Sequence, residues 1–250
     1  MRVLYCGDTT LDSAAAYLGG LITHWGWTLD YIPGDQPFGP SLLSQSDFPA
    51  GVFIFSDHPA AMIKPELQQR LLQQVEKGAG LIMVGGWESY HGNGGNWDGT
   101  PIGQALPVTI SSVDDRVNCD RPVLVAARKP THPILNHLPW PERPPIIGGF
   151  NRFTADTDGT VLLEAVTHLV TSTDGGFELH EERRDPLLVT GQLGAGRVVA
   201  LATDVAPHWV GPLVDWGDGR VSAQTPAGDA VEVGELYAQF LKQLIEWAAA

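Results

Sequence analysis

Two short stretches concentrate the residue types that move protons. Residues 85–98, GGWESYHGNGGNWD, set Glu88, His91 and Asp98 among glycines and two tryptophans, and residues 204–209, DVAPHW, set His208 four positions after Asp204. Imidazole beside carboxylate is the pairing used for general acid–base work, with His208 and His91 exchanging protons and Glu88 and Asp204 orienting them. Two smaller deposits, Cys6-Gly7-Asp8 and Asp57-His58, add Asp8 and His58 to the candidates. The spacing matches no zinc signature, so no metal and no cofactor is expected. Gly85-Gly86 admits two readings of equal weight, a tight turn with close backbone approach or a pair of amides holding an oxyanion or phosphate. Trp87, Trp97, Trp209 and Trp216 are either hydrophobic lids over the sheet end or stacking platforms for a sugar or other flat ligand.

These residues matter only if the elements that carry them end at one place. Arg2–Cys6, Thr28–Ile32, Gly51–Ser56, Leu81–Val84 and Arg197–Thr203 read as short buried strands, several of them continuous apolar runs of the parallel-sheet kind. Between them, Ser13–Trp25 has helical spacing, and KPELQQRLLQQVEKG has Pro65 in its first turn, Leu67, Leu71, Leu72 and Val75 on one face and Gly78 as its stop. That rhythm predicts a flavodoxin-like three-layer α/β sandwich with a mostly parallel sheet. Residues 107–190 break it. Val108–Val113, Val123–Ala126, Val161–Ala165 and Leu187–Thr190 read as an antiparallel β extension within a single domain spanning 1–250, while HPILNHLPWPERPPIIGG is too rich in proline for a regular element. GQLGAGRV reads as a hairpin turn, Glu181-Glu182-Arg183-Arg184 as a solvated turn, and Glu232–Ala249 as a closing amphipathic helix. In an open parallel sheet ligands bind beyond the strands' carboxyl ends, which is where all the candidates fall.

Composition narrows the partners. Fifteen basic against 29 acidic residues give a net charge of −14, which repels nucleic-acid phosphate and anionic membranes. No apolar run approaches the length of a membrane span, and Met1-Arg2-Val3-Leu4-Tyr5 enters a strand at once, so a cytoplasmic protein is expected. The partners that fit are a small-molecule ligand, amide- or sugar-like, and further copies of the chain.

Four segments, GLIMVGGWESYHGNGGNWDGTPIGQALPV (80–108), HPILNHLPW (132–140), PPIIGGFNR (144–152) and GAGRVVALATDVAPHWVG (194–211), make the chain similar to the class I glutamine amidotransferase-like superfamily, in particular its divergent subfamily related to ThuA-like proteins. With the N-terminal β/α pattern, the resemblance covers nearly the whole chain. It implies a Gly-x-Cys-x-Gly elbow after Leu81–Val84 and a His-x-Glu after a late strand. Here Gly86 or Trp87 stands where the Cys should be, and Val210 stands two positions after His208. Neither Gly nor Trp can form an acyl intermediate, Ser89 lacks flanking glycines, and Cys6 ends a different strand, so glutamine hydrolysis is not expected. What remains is a small-molecule-binding or hydrolase-like protein using the rim pocket, or a non-catalytic oligomerisation protein that keeps the fold. Five rim residues, Asp8, His58, Glu88, His91 and His208, are expected in one pocket. Trp87 is expected to be buried in the volume of the absent nucleophile, with His91 and Asp98 lining the remaining cavity.

Overall fold

In the computed structural model, which describes residues 1–39 and 51–250, nine strands form one mixed sheet. Its first half consists of β1 (Arg2–Gly7), β2 (Thr28–Ile32), β3 (Val52–Ser56), β4 (Gly80–Val84) and β11 (Gly196–Leu201), all parallel, in the order β2-β1-β3-β4-β11. The second half continues antiparallel through β10 (Gly176–Leu193), β9 (Thr160–Thr173), β6 (Arg116–Ala127) and β7 (Ile146–Asn151). The α/β sandwich with its antiparallel extension is therefore the architecture observed.

Helices cover both faces of the parallel half. Leu18 of α1 (Ala15–His24) and Leu241, Leu244 and Ile245 of α5 (Glu235–Ala248) surround a small apolar void with Ile54, Ile82 and Val84. Strand alternation sends Phe55 to the opposite face, where the Trp97 ring packs at 5.4 Å. On that side α3 (Pro101–Ala105) follows Trp97, and α2 (Pro65–Glu76) is tied to it by Gln68, whose Oε1 accepts the Ile102 N–H at 3.2 Å.

Register decides where the chemistry falls. Gly7 pairs with Ser56, Ser56 with Val84 and Val84 with Leu201, so four carboxyl ends lie in one row. Asp8, Asp57, Gly85 and Ala202 follow them directly.

The extension departs from expectation in several places. The proline-rich segment ends in a real strand, β7, at the sheet's edge, the one place where a strand next to prolines costs no ladder bonds. Of Val108–Val113 only β5 (Val108–Thr109) is a strand, paired with β8 (Thr154–Ala155) outside the main sheet. Glu181–Arg184 is no turn. It lies inside β10, which with β9 forms a hairpin far longer than its buried core segments, because cross-strand pairing continues beyond the sheet into solvent. A second hairpin, β12 (Arg220–Ala223) with β13 (Val231–Gly234), precedes α5.

Candidate functional site

The turn after β4 is built by partners far away in the chain. Gly85 N–H donates to Thr203 O at 3.1 Å, and Gly86 N–H donates to Asn151 Oδ1 at 2.9 Å. Asn151, wholly buried at the end of β7, returns its Nδ2 to Gly86 O at 3.1 Å and to Asp115 Oδ1 at 2.8 Å. Asp115 in turn accepts the His91 and Gly92 amides at 3.1 and 3.0 Å. Both glycine amides are thus committed within the fold, and of the two readings the tight turn with close approach is the one the geometry realises. A Cβ on Gly85 would lie 1.8 Å from Ala202 O, and one on Gly86 would lie 2.1 Å from Asp57 Oδ1. No side chain fits at either position without displacing those neighbours.

Asp57 follows β3 in a left-handed conformation, φ 45°, as Asp8 follows β1 at φ 47°. Such a backbone is uncommon outside glycine and is tolerated best by Asp and Asn. Asp57 Oδ1 accepts the Glu88 amide at 2.7 Å, while the Asp57 amide donates to Ser89 Oγ at 2.9 Å. Asp8 accepts a hydrogen bond from the buried Tyr5 hydroxyl. Asp204, after β11, takes the Ala206 amide at 3.0 Å on Oδ1. Its Oδ2 has no aligned donor, but His208 Nε2 stands 3.3 Å away on the first turn of α4 (Pro207–Val210), with the imidazole half exposed.

The electrostatics follow from crowding acids into a dry place. Burial, then the Asp57 charge, pushes Asp8 up to about 7. Burial and the charges of Asp8 and Asp57 hold Asp204 well above the carboxylate range. Burial also raises Asp57 against the bonds it accepts, and Glu88 is raised by burial and by Asp57. A negative charge on any one of these groups makes the next harder to form. Asp8, Asp57, Glu88 and His208, with Asp35 and Thr9, line an open cavity of about 330 Å³ at the carboxyl ends of the strands. Among the described residues no three His, Cys, Asp or Glu side chains converge as metal ligands.

Other expected residues fall elsewhere. His58 is buried with neither ring nitrogen hydrogen-bonded, and burial lowers its pKa to about 4. It sits beside the site as a neutral ring 6.2 Å from Phe55, and its neighbour Asp57 takes the cavity position. His91 does not reach the cavity. Its Nδ1 lies 2.7 Å from Asp98 Oδ1, and Asp98 lines a separate depression with Gln104 and Asp156. Trp87 is 45% exposed with the Arg116 guanidinium 4.6 Å from its ring centroid, contrary to the expected burial. The loop's buried aromatics are instead Tyr90, whose hydroxyl bonds Met83 O and Leu201 O at 3.1 and 3.0 Å, and Trp97, whose Nε1 donates to His58 O at 3.0 Å. Trp209 is a packing residue, buried against Gly149 and bonded to Asn118 Oδ1 at 2.8 Å. Cys6 is fully buried with its thiol pKa raised by burial, and Cys119 is half buried, its thiol pushed up to about 11 by burial.

Asp57, Asn151 and Asp115 were the residues sequence reasoning passed over. Asp57 alone carries a signal, as the first charged residue after the buried run of β3. Nothing local marks Asn151 or Asp115, whose partners lie 65 and 24 residues away.

The family model described as "putative glutamine amidotransferase" matches residues 45–221. No curated protein matches the chain. Among solved structures, two Salmonella typhimurium proteins described as cytoplasmic are each 22% identical and match 99% of both chains, with TM-scores of 0.72 and 0.70. A protein from Parabacteroides merdae described as "putative ThuA-like" is 12% identical, matching all of this chain and 90% of its own, with a TM-score of 0.63. At these identities the likeness is one of fold. No helix among the described residues is long and apolar enough to cross a membrane.

Proposed function

The chain belongs to the glutamine amidotransferase-like family, and from that premise we propose that it is a diverged member that lacks the nucleophilic cysteine and handles a small molecule in the cavity at the strand ends. The observation that carries this reading is the blocked elbow: the Asp57 carboxylate occupies the space into which a side chain at Gly86 would project. Acid–base chemistry replaces thiol chemistry. His208, half exposed on the cavity wall and 3.3 Å from buried Asp204, exchanges protons with the ligand, and Asp204 holds the imidazole. Asp8, Asp57 and Glu88 accept hydrogen bonds from hydroxyl or amide N–H groups, so an amide- or sugar-like ligand fits and an anion is repelled. Cytoplasmic residence is part of the same reading, supported by the cytoplasmic description of the two Salmonella proteins.

The test is a nuclear magnetic resonance or calorimetric screen of monosaccharides, primary amides and matched carboxylates. Neutral polyols or amides should bind, and Asp57→Asn and His208→Ala should weaken that binding about tenfold or more, as expected for losing one charge-assisted hydrogen bond. Carboxylates should not bind. Ammonia release from glutamine, or labelling by a glutamine-directed chloroketone, would overturn the reading.

A further inference from the structure

The hairpin of β9 and β10 outruns the sheet. β6 pairs with β9 only between Leu163 and Thr167, and β11 pairs with β10 only from Leu188 to Leu193. Residues 169–180 therefore stand as a two-stranded ribbon, every one of them exposed. A lone two-stranded ribbon is at best marginally stable in water, so one this long calls for a cover.

Its two faces differ. Val170 pairs with Leu179 and Ser172 with Phe177, so Val170, Phe177 and Leu179 share one face, at 37%, 77% and 49% exposure. The other face is mostly polar, with Thr171 Oγ1 3.1 Å from His180 Nε2 and Glu178 beside it. Followed back into the sheet, the apolar face keeps its register through His168 and Val166, which pairs with Leu124. There it runs into a largely apolar groove of about 340 Å³ with Leu124, Ala126 and Val166 on its floor and Trp140, Pro141 and Pro144 on its wall, lined also by His168 and the Glu181–Arg184 ion pair. One molecule thus presents an apolar knob and an apolar slot on the same face.

Charge says what can cover them. The charged side chains at this groove cancel, Arg184 pairing with Glu181 and Glu164 and Arg128 with Glu164, whereas the chain as a whole carries −14. Two copies repel each other over most of their surface and meet without net repulsion through this region. We propose that this face binds a second copy of the chain about a two-fold axis, the ribbon of each protomer laying Phe177 and Leu179 into the groove of the other. The inference does not depend on the function proposed above.

Sedimentation equilibrium of the full chain at micromolar concentration and 150 mM salt should give twice the 26.9 kDa of one chain. The variant Phe177→Asp/Leu179→Asp should halve that mass with circular dichroism and Tm retained. Should that variant fail to fold, Ala126→Arg, which fills the slot and leaves the ribbon intact, must produce the same loss. A monomeric wild-type protein, or folded variants that keep the wild-type mass, would overturn the proposal.

Discussion

Asp8 shows most directly what one buried residue does to this protein. Its carboxyl is held near 7 by burial and by Asp57, against the 3.8 of a free carboxyl, so the folded state binds a proton that the unfolded state has released. That preference stabilises the fold in acid and is lost as pH rises from about 4 through about 7. Asp57, Glu88 and Asp204 are shifted in the same direction and reinforce it. Tm should therefore be higher at pH 5.5 than at pH 8. Asp8→Asn should flatten that slope and raise Tm at pH 8, its amide oxygen still accepting from Tyr5. A Tm that climbs with pH across this window would show the carboxylates to be better solvated than the geometry implies. At the neighbouring position, Gly86→Ala should cost about 1–3 kcal/mol by overpacking against Asp57. Combining it with Asp57→Ala should cost less than the sum of the single changes, read by chemical denaturation, since the second change opens the space the first one needs.

At the scale of elements, the β4 turn depends on an edge strand it never pairs with. β7 delivers Asn151 across β11 to bond both the amide and the carbonyl of Gly86. Asn151→Ala leaves these groups unpaired in a dry interior, an expected loss of about 3 kcal/mol, which for a chain of this size lowers Tm by roughly 6–12 °C. Lys242→Ala, which removes an exposed ion pair with Glu246 on α5, should change stability by less than about 0.5 kcal/mol. Equal effects from the two variants, compared by calorimetry, would deny the turn its dependence on β7.

For the whole molecule, the governing quantity is the charge of −14. Exposed ion pairs return little of the repulsion among so many carboxylates. Raising sodium chloride from 20 to 300 mM at pH 8 shortens the screening length severalfold and should raise Tm. A Tm falling with salt would mean that the arginine-rich pairs around Glu164 and Asp185 outweigh the net charge.

The parallel half of the fold was legible in the sequence because its signals are local. A buried strand is a short apolar run, α2 announces itself by Pro65, its leucine stripe and Gly78, and the carboxyl-end rule then gathers Asp8, Glu88, Asp204 and His208 on one rim. The antiparallel half was legible only in outline, since the length of β9 and β10 is set by pairing with each other and β7 exists because an edge was free to take it. Within the site, tertiary structure decided what spacing could not. Trp87 and Trp97 are both tryptophans in one glycine-rich loop, yet the left-handed turns at Tyr90 and Asn96 leave the first in water and bury the second. His58 and Asp57 are adjacent, yet Asp57, in a left-handed conformation, lines the cavity and His58 does not. Sequence determines which groups reach the strand ends. Which of them face the ligand is a matter of packing, because each buried polar atom must find a partner, and those partners come from tens of residues away.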